Sequence, residues 1–304
     1  MKNTIPTKSE IVINWHITET CNYKCKYCYA KWGINKKKEE LIHNTNQSVQ
    51  LLEQIYQFFV PSNINNPLQQ TMHWNTIRLN LAGGEPLLYH ERASQIISYA
   101  KKLGFSVSTI TNGSYLTEEL VTQLAPQLSM LGLSIDSSLN MTNQKIGRAN
   151  KHGAIIPTTE LVRLIQLAQT LNPELDLKVN TVVNAMNWQE DLTPLIQLLT
   201  PKKWKVLKML PTLTEDLSVS DAQFQAFVHR HQTKVSVMCA EDNTDMSESY
   251  IMIDPLGRFY QNSTEHKGYN YSSPIMDVGI AEAFSQVMFS SPKFCSRYAD
   301  YLEQ

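Results

Sequence analysis

The chain has 304 residues, 42% of them hydrophobic and 18% charged, with a formal net charge of -1. This composition supports a large buried core, as one barrel-sized domain or two ordinary ones. It carries no bulk basic excess for nucleic acid or a membrane surface. No apolar run reaches the roughly 18 residues of a membrane span, and the polar first ten residues lack a signal-peptide core, so the expected address is cytoplasmic. Three of the five cysteines lie within eight residues, a poor disulfide framework and a good metal-ligand set.

Taken in chain order, residues 11–17 read as a strand and 46–60 as a helix, with Val49, Leu52, Tyr56 and Phe59 on one face. Residues 77–81 form a second strand, 91–103 a helix, and 106–111 a strand ending in the Asn112–Gly113 turn signal. A helix over 117–128 and a strand over 131–135 follow. Residues 159–171 form an amphipathic helix with Leu161, Leu164, Ile165 and Ala168 on one side. Strands at 175–183 and 204–210 alternate with helices at 188–199 and 221–231. Alternation of this kind implies a parallel sheet. Six units fall short of the full eightfold barrel, so the expected fold is α/β, an open, partial (βα)6 barrel.

After about residue 233 the pattern changes. Tyr250–Ile253 and Arg258–Tyr260 flank Asp254-Pro255-Leu256-Gly257, a hairpin signal. The remaining tail reads as polar and irregular, apart from a short helix near 280–288. We therefore expect a core over 1–232 and a C-terminal extension over 233–304. The Lys36-Lys37-Lys38 run reads as a solvated loop.

Cys21-Asn22-Tyr23-Lys24-Cys25-Lys26-Tyr27-Cys28 is a C-x3-C-x2-C arrangement in the loop leaving the first strand. Three thiolates on so short a loop can hold three irons of a cubane and leave the fourth iron open to a chelating ligand. Structural zinc is the alternative. It wants four closed ligands, and the nearest further candidates, His16 and His43, lack a paired zinc-like spacing. Three buried structural thiols would suit an apolar loop, whereas Asn22, Lys24 and Lys26 make this one polar.

With its aromatic before the last cysteine, the motif resembles the signature of the radical S-adenosylmethionine (SAM) superfamily. The resemblance implies a [4Fe–4S] cluster on Cys21, Cys25 and Cys28, with SAM as cosubstrate. Gly83-Gly84-Glu85-Pro86 follows the second strand, where the superfamily meets the methionine amino group of SAM. Asn112 and Ser114 end the third strand, and Ser134 and Asp136 the fourth, all at carboxyl ends where α/β folds bind ligands. More narrowly, from about Asn14 to Ala283 the sequence is similar to the viperin-type enzymes, especially prokaryotic ones. Supporting stretches are Ile146-Gly147-Arg148, Lys178-Val179-Asn180, Trp204-Lys205-Val206, Ser249–Asp254, Arg258-Phe259 and Asp277-Val278-Gly279.

This resemblance implies a radical dehydratase that removes the C4′ hydrogen of a nucleoside triphosphate. The product would be the 3′-deoxy-3′,4′-didehydro analogue, an antiviral chain terminator. Implied partners are CTP, UTP or GTP and an electron donor such as flavodoxin or ferredoxin, with no nucleic acid, no membrane and a monomeric state. Arg78, Arg148, Lys178 and Lys205 would meet the triphosphate, since several converging cations suit its charge. An inward lysine otherwise needs a counterion. Asn14, Asn80 and Asn180 would lie near the sugar and phosphates, and Tyr250 would act in the nucleotide pocket. The extension would complete that pocket. Cys239 and Cys295 are too few for the auxiliary cluster of peptide-modifying relatives. Ala82 stands where the family often has serine. The amphipathic membrane helix and terminal tryptophan of animal members have no counterpart in this sequence. The alternatives are a radical SAM enzyme acting on a peptide or other small molecule, and a non-catalytic iron–sulfur or zinc scaffold.

Overall fold

The structure is a computed structural model that describes residues 5–33, 39–263 and 267–297. The Lys36–Lys38 run and the last residues of the chain lie outside these. Ten strands form one sheet in the order β10-β9-β8-β1-β2-β3-β4-β5-β6-β7. Strands β1 (Thr7–His16), β2 (His73–Ala82), β3 (Ser106–Thr111), β4 (Met130–Ser134), β5 (Asp176–Val183) and β6 (Lys203–Lys208) are the six expected, all parallel. Between them run the helices α1 (Thr45–Phe59), α2 (His90–Leu103), α3 (Glu118–Leu124), α4 (Asn140–Ile146), α5 (Thr158–Leu171) and α6 (Thr193–Leu199), with α7 (Asp221–Gln232) after β6. The partial (βα)6 barrel is thus borne out.

The helices end where local chemistry stops them. Pro126 turns the end of α3 into a 3-10 turn. Helix α6 starts only at Thr193, with Pro194 in its first turn, because Asn184 and Asn187 tie residues 182–188 into a compact turn.

The tail is more regular than its polarity suggests. β7 (Met238–Glu241) extends the parallel sheet beyond β6, and helix α8 (Asn243–Met246) follows it. β8 (Ile251–Ile253) crosses to the opposite side of the sheet and pairs in parallel with β1, Asn14 opposite Met252. β9 (Arg258–Asn262) completes the expected hairpin. Asp254 accepts from the backbone N–H groups of Leu256 and Arg258, and Gly257 sits at a φ of 73°. β10 (Tyr269–Pro274), α9 (Ile275–Val278), α10 (Ile280–Ser285) and α11 (Ser291–Arg297) replace the irregular tail expected after residue 264. These elements bury Tyr269, Ile275, Phe284 and Phe294, whose spacing is too sparse for a periodic signal.

Strand β5 shows how the fold builds a polar cavity. Leu177, Val179, Thr181 and Val183 are buried, whereas Asp176, Lys178, Asn180 and Val182 alternate with them on the other face. Apolar residues of the outer face, such as Leu79, Val179 and Trp204, join helix residues Leu51, Ile97 and Leu164 in one core. At fully buried sites such burial is worth about 1.5–3 kcal/mol per large side chain.

Two loops at the carboxyl ends are fixed by backbone contact. Gly84 N–H donates to Thr18 O at 2.7 Å, and Glu85 N–H to Thr20 O at 2.9 Å. A Cβ on Gly84 would lie 2.2 Å from Thr20 O, and one on Gly83, at a φ of 139°, 2.5 Å from Thr18 O. We therefore expect Gly84→Ala to force the cysteine loop away from β2 and to cost about 1–3 kcal/mol. Chemical denaturation should report the loss, and iron retention after anaerobic reconstitution should fall with it.

Candidate active site

The cysteine loop leaves β1 and is pinned from two sides. Lys24 N–H donates to Gly147 O and Lys26 N–H to Ile146 O, both at 3.0 Å. Gly147 takes a φ of 92°, and a Cβ there would lie 2.2 Å from Lys24 O. The Ile146-Gly147-Arg148 stretch is therefore the C-terminal cap of α4 and the seat of the loop. On the other side Asn22 donates to Ser114 Oγ at 2.9 Å and accepts from Asn112 Nδ2 at 3.0 Å.

The sulfurs fit an iron–sulfur group. Burial pushes the Cys21 thiol up to about 11 and the Cys25 thiol up to about 12, with their sister cysteines adding repulsion. Thiols so placed ionise only when a metal supplies positive charge. Tyr23 N–H, 3.3 Å from Cys21 Sγ, and Asn112 Nδ2, at 3.8 Å, are donors positioned for a charged sulfur. Among the described residues, no three His, Cys, Asp or Glu side chains gather on a single metal-ion position.

Glu85 is fully buried, and its carboxylate is occupied by the protein. It accepts from Thr111 Oγ1 at 2.7 Å, Asn112 N–H at 2.8 Å and Leu87 N–H at 3.0 Å. Burial raises its carboxyl pKa despite these donors. The side chain ties the Gly83–Gly84 turn to the end of β3, leaving the backbone of the turn as its outward chemistry. Ser134 and Asn112 line a cavity with Tyr23, Asn143 and Arg148.

Arg148, expected among the triphosphate cations, stands in that second cavity instead. It is 3.5 Å from Asp136, donates to Tyr27 OH at 3.3 Å and to the Ser134 carbonyl, and lies 4.0 Å from Cys25 Sγ. Tyr27 in turn hydrogen-bonds Asp136. Arg148 thus belongs with the cysteine loop.

The other expected residues share one large cavity inside the barrel. Arg78, Lys178 and Lys205 line it, with Asn14, Asn80, Asn180 and Tyr250. Each asparagine on β2 and β5 lies two residues nearer the carboxyl end than the cation on its strand, a separation of about 6–7 Å. Asn80 donates to Asn14 Oδ1 at 2.9 Å and accepts from Ser108 Oγ at 2.8 Å. Asn180 Oδ1 is buried with no hydrogen-bond donor among the described residues.

The cations are not equivalent. Arg78 is 2.8 Å from Glu10. Lys205 lies 2.6 Å from both Glu241 and Tyr250 OH, and Tyr250 OH donates to Glu241 at 2.7 Å. Arg297 approaches Glu241 at 3.2 Å and stacks 3.4 Å from the Tyr250 ring centre. Burial opposes ionisation of Glu241, but Lys205, Arg297 and Tyr250 outweigh it and hold the carboxyl down to about 2. The Lys178 side chain has no hydrogen bond or ion pair among the described residues. Burial first, then the charges of Lys205, Arg78 and Lys203, push its ammonium pKa well below the usual range.

Sequence reasoning missed Ser108, Met252, Tyr260 and the Glu241–Arg297 pair, and weighed His16 only as a zinc ligand. Ser108 follows from alternation along β3. His16 ends β1, with Tyr260 OH 2.8 Å from its Nδ1, and burial lowers its pKa to about 3, so it is neutral. Glu241 lies on the short strand β7, which no periodicity announces.

The Radical SAM superfamily profile matches residues 15–171. An S-adenosylmethionine-dependent nucleotide dehydratase of Psychrobacter lutiphocae is 43% identical over 97% of both chains. One of Pseudoalteromonas ulvae is 41% identical over 95% of this chain and 93% of that one, and one of Danio rerio 30% identical over 95% and 77%. Among solved structures, anSMEcpe with bound AdoMet and a Kp18Cys peptide superimposes with a TM-score of 0.63 at 14% identity, over 94% of this chain and 84% of that one. Streptococcus suis SuiB bound to its precursor peptide gives 0.56 at 12% identity, over 94% and 66%. At these identities the structural likenesses show the fold. The chain belongs to the radical SAM superfamily and, within it, to the S-adenosylmethionine-dependent nucleotide dehydratases. The superfamily's cofactors are a [4Fe–4S] cluster and SAM.

Removing the buried anion would leave Lys205 and Arg297 without their shared counterion. Glu241→Gln should therefore cost about 3–5 kcal/mol of stability. Lys205→Met in the same chain should restore part of it, as a double-mutant cycle by denaturation would measure. The carboxyl of Glu241 is depressed in the fold, so its contribution is full above the usual carboxylate range. It fades as pH falls from about 4.5 toward about 2.

Proposed function

We propose that the chain is a SAM-consuming dehydratase that converts a nucleoside triphosphate, CTP, UTP or GTP, to its 3′-deoxy-3′,4′-didehydro analogue. The observation that carries this reading is the layering of the barrel interior. On β2 and β5 the cations Arg78 and Lys178 lie two residues deeper than Asn80 and Asn180, Lys205 stands level with Asn180, and Tyr27 and Tyr29 of the cysteine loop line the mouth. A triphosphate in the cation layer would put the ribose among Asn14, Asn80 and Asn180, facing the cofactors. The near-full-length identity to enzymes named nucleotide dehydratases supports the same substrate class.

Cys21, Cys25 and Cys28 would hold the cluster, and the Gly83–Gly84 backbone, Asn112, Ser114, Ser134 and Arg148 would hold SAM beside it. When bound, the cluster and SAM supply a 5′-deoxyadenosyl radical able to remove the C4′ hydrogen. The residues of the chain orient the sugar and exclude water, since a primary radical attacks whatever C–H bond is nearest. Asn180 Oδ1, a buried acceptor, offers a partner to a ribose hydroxyl. Lys178 is the cation free to meet phosphate, and Arg78 and Lys205 add field from their own ion pairs. Tyr250 accepts from Lys205 and donates to Glu241, and its phenol at the cavity wall would lie beside the nucleotide. The extension over 233–304 completes this pocket through Met246, Tyr250, Met252, Tyr260 and Asn262. We place the enzyme in the cytoplasm, where nucleoside triphosphates and low-potential donors occur, and expect a monomer.

The decisive experiment uses CTP, UTP and GTP deuterated at C4′, with reconstituted enzyme, SAM and a reductant. Deuterium should appear in 5′-deoxyadenosine with one of them. Active SAM cleavage without transfer from any triphosphate points to another small-molecule substrate. Cys25→Ala should abolish SAM cleavage. Lys178→Ala should keep the iron content and slow SAM cleavage without nucleotide, while KM for triphosphate rises roughly 10- to 150-fold, the usual loss of one charged contact of about 1.5–3 kcal/mol. Because Lys178 is starved of counterions, triphosphate binding should take up protons. Calorimetry in buffers of different ionisation enthalpy would measure that uptake, and affinity should weaken as pH rises.

A further inference from the structure

Each turnover of the proposed reaction needs electrons from outside the chain, and all three cysteines are half-buried. Cys21 is approached by Tyr23 N–H and Asn112, and Cys25 faces Arg148 inside the barrel mouth. Cys28 has a different setting. It lines a groove on the outer surface, separate from the substrate cavity, with Trp32, Tyr269 and Tyr271 along its floor. These rings and Tyr260 pack as one aromatic wall between groove and cavity.

The groove carries charge of one predominant sign. Among the described residues, Lys26, Lys31 and Lys267 line it against one carboxylate, Asp216. Lys267 is paired with the exposed Glu215. Lys26 and Lys31 are exposed, flank Cys28 in sequence and have no ion pair among the described residues. Two solvated ammonium groups beside a cluster ligand have no structural task in the fold. Their field extends over about 8–10 Å at ordinary salt, the range that steers charged partners.

We infer that this groove is the docking surface for a small acidic one-electron carrier protein, which reduces the cluster through Cys28. One electron leaves the reduced flavin or iron–sulfur group of the carrier and enters the cluster, with no bond made or broken. Tyr271 and Leu213, both half-buried, supply apolar contact inside the cationic rim, with the buried aromatic rings as backing, the usual division between interface core and rim. Because the wall also separates the groove from the barrel interior, carrier and nucleotide can be bound together. The inference rests on the reading that Cys21, Cys25 and Cys28 hold a reducible cluster, and does not depend on which nucleotide is the substrate.

The test is the charge reversal Lys26→Glu/Lys31→Glu in the full chain, read first by direct binding. An acidic flavodoxin and an acidic ferredoxin, each immobilised, should bind the unaltered protein with an affinity that weakens as salt rises. The reversal should weaken binding at least 10-fold at low salt and flatten the salt dependence, while Lys26→Arg/Lys31→Arg retains both. Iron content and dithionite-driven SAM cleavage without nucleotide should be unchanged, whereas carrier-driven cleavage falls. Equal loss with dithionite and with carrier would assign the lysines to the cluster itself. Unchanged carrier affinity, or no salt-sensitive binding of either carrier to the unaltered protein, would overturn the inference. If dithionite-driven cleavage succeeds but no triphosphate yields product, the nucleotide reading fails and the docking result stands.

Discussion

The cysteine loop owes its position to two places where backbones touch. Gly84 meets the carbonyl of Thr20, and Gly147 meets that of Lys24, at separations that exclude any side chain. The first contact fastens the loop to the end of β2, and Glu85 extends the connection to β3. The second fastens it to the cap of α4, carrying Arg148 to the sulfur of Cys25. A short polar loop that must present three sulfurs in a fixed relation cannot be held by its own packing. Here backbone hydrogen bonds from two directions hold it, and the glycines are the condition for both. The same contacts bring Asn112, Ser114 and Ser134, the residues proposed to hold SAM, around the loop.

Below this rigid rim the barrel interior faces a different problem. Parallel strands alternate their side chains, so an inward lysine on β5 has no choice of direction. With Lys203, Lys205 and Arg78 nearby, repulsion and desolvation act together on Lys178. The fold resolves part of this internally, giving Lys205 a buried carboxylate on β7 and Arg78 an acidic partner at the start of β1. It leaves Lys178 unresolved. A cavity so arranged is least stable when it holds nothing but water and gains most when an anion with several charges enters. Stability has been given up at the position that a ligand can repair.

Much of this was legible in the sequence because it is local or periodic. The six strands and their helices follow alternating apolar patterns, and the hairpin at Asp254–Gly257 follows its turn residues. Cys21, Cys25 and Cys28, the Gly83–Gly84 turn, and the inward Arg78, Lys178 and Lys205 could all be named from spacing and resemblance. What escaped depends on pairing between distant segments. β7 has only four residues, so Glu241 gave no sign that it would neutralise Lys205. Arg148 was grouped with the other cations by charge. Its true neighbours, Asp136, Tyr27 and Cys25, come from loops whose approach depends on the cap at Gly147. β10, α9 and α10 lack the length for a periodic signal, and their burial comes from packing of the two helices against α1 and of β10 against the hairpin strand β9.

The placement of β8 beside β1 has an implication for how the chain is made. Strand β1 leads into the cysteine loop and leaves the ribosome long before β8, so one of its edges finds no partner until Ile251–Ile253 has been synthesised. At ordinary synthesis rates of about 5–20 residues per second, that edge waits some tens of seconds. During this interval a strand with Ile11, Ile13 and Trp15 presents unpaired backbone to the cell, the kind of edge that invites pairing with another chain. The polar start of the strand, Thr7 to Glu10, and the charged loop that follows it border the exposed stretch and keep it short. The second edge of the strand that leads into the cysteine loop is covered only when the C-terminal strands arrive, so covering β1 and adding Tyr250, Met252 and Tyr260 to the large cavity are one event in the birth of the protein.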